Sequence, residues 1–216
     1  MEIWHLWTSL LAQGLAFLST QFGLSEALAI IALTAAARLA LMPLSLRAAL
    51  QAEAKKQKIK ALKPELEALK ERHSQDPSQL AAATMALYRE RGISLMDRLM
   101  LTNAATQSMF GIGLYQVLSK AGFSSKFLWI GSLARPDVWL TVLVSLLMLL
   151  GMALMPGATS EAAMWVVMSV SLLMAVLMIA TLPSAVGLYW ATSNGVTLVQ
   201  TLVLRGLLRH QQGRAA

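Results

Sequence analysis

The 216-residue chain contains no cysteine. That excludes disulfides, thiolate metal ligands, a cysteine nucleophile and an anchor built on a lipidated cysteine, and it leaves the redox compartment open. Charge is scarce as well. Asp, Glu, Lys and Arg make up 13% of the residues, against about 25% in an ordinary soluble domain. No acidic residue lies inside a long apolar run, because Glu26 and Glu161 fall at run ends. This weighs against a proton-driven carrier, whose relays use intramembrane carboxylates. His5, His73 and His210 are too scattered for HExxH-type zinc ligation, and the chain has neither a Gly-rich phosphate loop nor a GxSxG elbow. No enzyme chemistry, metal or cofactor is expected. The N-terminal stretch has Glu2 where a secretory signal carries basic residues, so it reads as part of the mature protein.

What the chain has instead is apolar length, with 56% hydrophobic residues. Five stretches approach the roughly 20 residues that cross a bilayer as a helix: 24–46, the uncharged 99–119 within a second span taken as 93–119, 138–155, 162–182 and 183–205. Pro183 stands where a helix can restart. Residues 1–23 place Trp4, Trp7, Leu11 and Leu18 near one helical face and read as an amphipathic interfacial helix. The expected fold class is an all-α membrane protein with five transmembrane helices, an N-terminal interfacial helix and a cytoplasmic helical hairpin.

The hairpin is residues 47–92. Ile59, Leu62, Leu66 and Leu69 recur at 3-4-3 spacing, a seam for a partner helix. "SQDPSQ" at 74–79 is turn chemistry, and Leu80, Leu87 and Tyr88 follow before Gly92. The remaining segments are a loop at 120–137 and a short basic tail at 206–216.

Eleven of the 18 basic residues fall between Arg47 and Arg98, and Arg205, Arg209 and Arg214 follow the last span. Basic residues mark the cytoplasmic side, so the N-terminus is expected outside, the C-terminus inside and the 120–137 loop outside. The connection 156–161 is assigned to the inside by count alone. The net charge of +7 then serves anionic lipids rather than nucleic acid. Seven of 13 methionines lie at 148–178, where flexible thioethers suit either ordinary packing or promiscuous apolar contacts.

One charge does not fit this pattern. Arg38 lies within the first span, where an arginine costs roughly 2.5–3.5 kcal/mol to insert. It is eight residues from the inner end, hence about 12 Å deep. Gln107, eight residues in from Leu99 where the uncharged stretch of the second span begins, has the same depth, and Asn194 is about 15 Å deep in the last span. Thr34 sits one turn before Arg38, and Ser193, Thr197 and Gln200 share a face of the last helix. Three spans thus bring polar groups to one layer, which predicts a hydrated groove open to the inside with Arg38 as its only fixed charge. The alternative is an arginine that merely snorkels.

These residues resemble the YidC/Oxa1/Alb3 family of membrane protein insertases. "ALAIIALTAAARLALMPLSLRAALQAEAKKQKIKALKPELEALKERH" is similar to that family's "R…PL" helix and "PE" hairpin. "ALYRERGI", "FLWIGSLARPD" and "LPSAVGLYWATSNGVTLVQ" resemble its later blocks, in order and over nearly the whole chain. The resemblance implies location in the bacterial cytoplasmic (inner) membrane and a groove open to cytoplasm and lipid. It further implies that newly made membrane protein clients are drawn in by Arg38 and released sideways. It makes Arg38, Thr34, Gln107, Ser193, Asn194, Thr197 and Gln200 the client-binding groove. Lys63, Pro64, Glu65, Leu66 and Leu69 become the hairpin surface for clients or for a partner such as a translocon or ribosome. The second span departs from the family by lacking its Cys-x-Pro and Gln-x-Pro patterns, and Ser132 stands where an aspartate is common. Two alternatives stay open: an assembly or scaffold paralogue without general insertase activity, and a small channel or carrier.

Overall fold

The computed structural model describes residues 2–94, 96–154 and 162–215, and among these it is all-α apart from one isolated antiparallel bridge between Phe127 and Ile130. Eight helices follow in order: α1 (Glu2–Phe22), α2 (Glu26–Ala61), α3 (Lys63–Arg72), α4 (Pro77–Glu90), α5 (Arg98–Lys120), α6 (Val138–Ala153), α7 (Ala162–Ile179) and α8 (Ser184–Ala215). The connection expected at 156–161 lies outside the described residues, as do Met155 and the side chains of Met164, Met168 and Arg214.

Helix ends follow local chemistry. Asp76 caps α4, its carboxylate accepting from the backbone N–H groups of Ser78 and Gln79 at 2.9 and 3.0 Å, with Pro77 at the first turn, where a missing N–H costs nothing. Asp137 caps α6 in the same way, accepting from Leu140 N–H at 2.8 Å. Gly92, at φ +64°, ends the segment after α4 in a left-handed conformation that favours glycine.

Two boundaries differ from simple periodicity. α2 runs unbroken for 36 residues, through Pro43, so the first apolar stretch and the first arm of the hairpin segment are one helix. Among the described residues it is also the helix long and apolar enough by itself to cross a membrane, and α6 is a shorter apolar helix. The break comes at Leu62, ahead of Pro64 in the first turn of α3. Pro64 has no N–H to give the carbonyl four residues back, and its ring crowds that carbonyl, so the helix is interrupted there.

The chain forms two compact units, one of residues 44–106 and one of the residues up to Pro43 together with those from Gln107 onward. In the larger unit Ile30, Leu114, Ile130, Leu133, Leu140, Val144 and Val186 are almost wholly buried. α6 and α8 form its most extensive helix pair. Their approach depends on Gly187: a Cβ there would lie 2.6 Å from Leu140 Cδ2. Small residues at such crossings let helices pack closely where lipid removes the hydrophobic drive between them. α1 packs through the face carrying Trp7, Leu11 and Leu15, while Ile3, Leu6, Leu10 and Phe17 are exposed. Its indoles are anchored to α5, Trp4 Nε1 donating to Gln116 Oε1 at 2.8 Å and Trp7 Nε1 to the Met109 carbonyl at 3.0 Å.

The 120–137 loop is tied down by backbone groups. Ser184 donates twice to the Arg135 carbonyl, through N–H at 3.0 Å and Oγ at 2.6 Å. Ala185 N–H donates to the Leu133 carbonyl at 3.1 Å, and Ser125 N–H to Glu26 Oε2 at 3.1 Å. Each such bond contributes about 0.5–1.5 kcal/mol net, and together they fasten the loop to the N-terminal ends of α2 and α8.

The smaller unit has its own core of Leu62, Leu87 and Ile93, with Ile59, Leu66, Leu69 and Tyr88 packed against it. The 3-4-3 seam is therefore used, although the helix is cut inside it. Leu80 is only half-buried and lies outside that core. Arg91 Nη2 bridges both carboxylate oxygens of Glu65 at 2.8 and 2.7 Å, and Lys55 Nζ pairs with Asp97 at 2.9 Å.

Candidate functional site

Arg38, Gln107 and Ser193 meet in the larger unit. The Arg38 guanidinium donates from Nε to Ser193 Oγ at 3.1 Å and from Nη1 to Gln107 Oε1 at 2.5 Å. These residues come from α2, α5 and α8. Arg38 and Gln107 are half-buried, and Ser193 is buried at 5% exposure. Both partners are neutral, and among the described residues no carboxylate pairs with Arg38. The guanidinium has five N–H donors, so two hydrogen bonds orient it without using up its capacity.

The other expected groove residues divide. Thr34 is fully buried one turn from Arg38, and its hydroxyl has no partner among the described residues. A buried hydroxyl without a partner is costly. Asn194 and Thr197 satisfy themselves within α8, donating to the carbonyls of Trp190 at 2.8 Å and Ser193 at 2.9 Å. Thr197 is nonetheless exposed, and Gln200 is half-buried two turns along the same helix from Ser193. The arrangement can orient a cation and hold polar groups near it. It contains no nucleophile–base pair and, among the described residues, no metal-binding group of His, Asp or Glu.

In the hairpin unit the five expected contact residues are not equivalent. Glu65 is engaged by Arg91, and Leu66 and Leu69 pack in the hairpin core. Lys63 and Pro64 are exposed, with Lys63 Nζ 3.8 Å from Glu67.

Sequence reasoning missed the seats that fix this layer. Gly111 lies against Tyr189, where a Cβ would be 2.8 Å from the tyrosine Oη, and Phe110 meets the same ring edge-on at 6.3 Å. Gly113 lies under Trp7, where a Cβ would approach Nε1 to 2.5 Å. The Gly-x-Gly spacing in α5 was the available signal, since two residues apart they lie on opposite sides of one turn, one toward Tyr189 of α8 and the other toward Trp7 of α1.

A family model described as "60Kd inner membrane protein" matches residues 17–211. The protein named membrane protein insertase YidC of Fusobacterium nucleatum is 33% identical over 204 residues, covering 89% of this chain and 93% of that one. Its namesake in Caldanaerobacter subterraneus is 30% identical over 203 residues, covering 89% and 91%. Membrane protein insertase YidC 1 of Listeria monocytogenes is 30% identical over 214 residues, covering 94% and 71%. The all-α chain, with its arginine held between three helices, is a membrane protein belonging to the 60Kd inner membrane protein family.

Proposed function

We propose that the protein inserts newly made membrane proteins into the bilayer, receiving a client segment at the Arg38 layer and releasing it sideways into lipid. The observation that carries this reading is a cation held by neutral partners. Arg38 hydrogen-bonds Gln107 and Ser193, and no carboxylate pairs with it among the described residues. A purely structural charge in a membrane bundle is cheapest when paired. A charge kept oriented but uncompensated is suited to attract an acidic or polar segment and lower the cost of moving it part-way into the membrane. The same-function names of the relatives over most of their length support the reading.

Five helices then span the membrane, with the N-terminus outside and the C-terminus in the cytoplasm, a placement supported by the clustering of basic residues at 47–98 and after the last span. The groove comprises Arg38, Thr34, Gln107, Ser193, Asn194, Thr197 and Gln200, and it opens to the cytoplasm. The exposed pair Lys63 and Pro64 supplies the hairpin surface for clients, or for a translocon or ribosome delivering them. Anionic lipids neutralise the basic residues near the inner surface.

The test is depletion of the resident insertase and rescue with wild type, Arg38→Ala or Arg38→Lys, reading protease protection of a single-span client with an acidic extracytoplasmic tail. Rescue by wild type and Lys but not Ala, at equal protein levels, is expected. Rescue by all three would remove Arg38 from the mechanism. Failure of wild type itself would favour an assembly or scaffold role.

A further inference from the structure

The loop before α6 carries a feature unrelated to the arginine layer. Phe127 and Ile130 exchange both backbone hydrogen bonds, Phe127 N–H to Ile130 O at 3.0 Å and Ile130 N–H to Phe127 O at 2.8 Å. This is a two-residue hairpin turn, whose central positions usually go to Asn or Gly because φ must be positive. Here one of them is Leu128, at φ +51°, the one non-glycine residue with positive φ among the described residues. A leucine in that conformation is strained, and the residue is 77% exposed, so little burial within the described chain offsets the strain.

The turn is anchored on both sides. Ile130 and Leu133 are buried in the core, and Trp129 Nε1 donates to Asp137 Oδ1 at 3.2 Å, the oxygen that also caps α6. Beside it Val138 and Trp139 are exposed at 77% and 71%. Trp129, Trp139, Val142, Leu143 and Leu146 line an open apolar groove of about 550 Å³. The same face of α6 carries exposed Leu149 and Leu150 further along, and in a membrane protein such a face meets lipid. Tryptophans with an apolar body and a bonded N–H collect at the lipid–water boundary.

We propose that the turn and the head of α6 form a phospholipid-binding surface. The Leu128 side chain enters the leaflet at the N-terminal end of α6, and one acyl chain lies in the groove between Trp129 and Trp139. Strain at Leu128 is retained because an apolar wedge is needed where Gly or Asn would supply none. This surface stands apart from the insertion reading and holds whether or not Arg38 draws clients.

The cysteine-free chain allows a direct test. The full-length protein carrying Leu128→Cys, or separately Trp139→Cys, is labelled with nitrobenzoxadiazole and placed in phosphatidylethanolamine–phosphatidylglycerol vesicles. Some vesicles contain lipid with a nitroxide near the headgroup, others with a nitroxide near the chain end. Gln75→Cys, in the turn before α4, gives the aqueous reference. Blue-shifted emission at both positions, quenched more by the shallow nitroxide than by the deep one, is expected. Emission matching the aqueous reference at both positions would overturn the proposal. So would blue-shifted emission that no lipid nitroxide quenches, which would assign the surface to a protein partner. Trp139→Cys leaves the backbone of the turn untouched, so a folding defect in the first variant does not remove the test.

Discussion

The tightest helix crossing in the larger unit makes a quantitative prediction about two glycines of α8. A Cβ added at Gly187 would sit 2.6 Å from Leu140 Cδ2 and 3.2 Å from Leu140 Cγ, whereas one added at Gly195 meets nothing within 4 Å. Leu140 is 2% exposed, so its side chain can move aside only by displacing buried neighbours or by parting the two helices. Overpacking of this kind costs about 1–3 kcal/mol. Both substitutions to Ala gain the same helix propensity, about 1 kcal/mol, which cancels in their difference. Gly195→Ala is therefore expected to stabilise the protein, and Gly187→Ala to fall below it by about 1–3 kcal/mol. Thermal unfolding in one detergent, followed by loss of near-UV signal, measures both. Combining Gly187→Ala with Leu140→Ala removes the clash, so the double variant is expected to lose less than the sum of the single losses. Equal shifts for the two alanines, or strict additivity in the double variant, would refute the claim that this contact sets the α6–α8 distance.

Gln107→Glu would place a carboxylate where the Arg38 guanidinium now meets an amide oxygen. It is expected to raise thermal stability in detergent while reducing insertion of acidic-tailed clients as strongly as Arg38→Ala, because the free charge is neutralised. In the hairpin, Leu62→Ala removes a core side chain that is 7% exposed. A buried Leu→Ala change typically costs 2–5 kcal/mol, so limited proteolysis within residues 63–92 is expected to accelerate. The Asp76 carboxyl is held below the usual carboxylate range, chiefly by the Gln79 N–H and further by that of Ser78. A depressed pKa stabilises the fold above the ordinary aspartate value, about 4, and that contribution is lost as pH falls through the lower folded value. The hairpin of wild type is expected to loosen below about pH 4, and Asp76→Ala to remove that step in amide exchange of α4.

How much of this was legible in the sequence depended on whether a signal was local. The arginine layer could be read from depth alone, because 1.5 Å per residue along three helices puts Arg38 and Gln107 level and Ser193 close to them. Which polar residues actually touch could not. Asn194 and Thr197 lie in the same layer but donate to their own helix, an option always open to short polar side chains in α-helices. The hairpin seam was visible as spacing, yet the cut at Leu62 came from Pro64, whose effect on the preceding turn outweighs periodicity. The tryptophans of α1 were read as interfacial from their type, and that reading could not say that Trp4 and Trp7 give their N–H groups to α5. Their partners lie more than 100 residues away, and no local pattern encodes them. The strained turn at Leu128 was equally hidden, since leucine is among the last residues expected at positive φ.

The central claim, that a client segment meets the Arg38 layer, is tested most directly by site-specific photo-cross-linking in the full-length protein. A benzophenone amino acid replaces exposed Thr197, one turn from Ser193, and, as a control, exposed Leu6 on α1. An adduct is expected from Thr197 to the acidic tail of a stalled client that vanishes with Arg38→Ala and persists with Arg38→Lys, and none from Leu6. An adduct of equal yield whatever stands at position 38, or client capture only at Leu6, would contradict the claim.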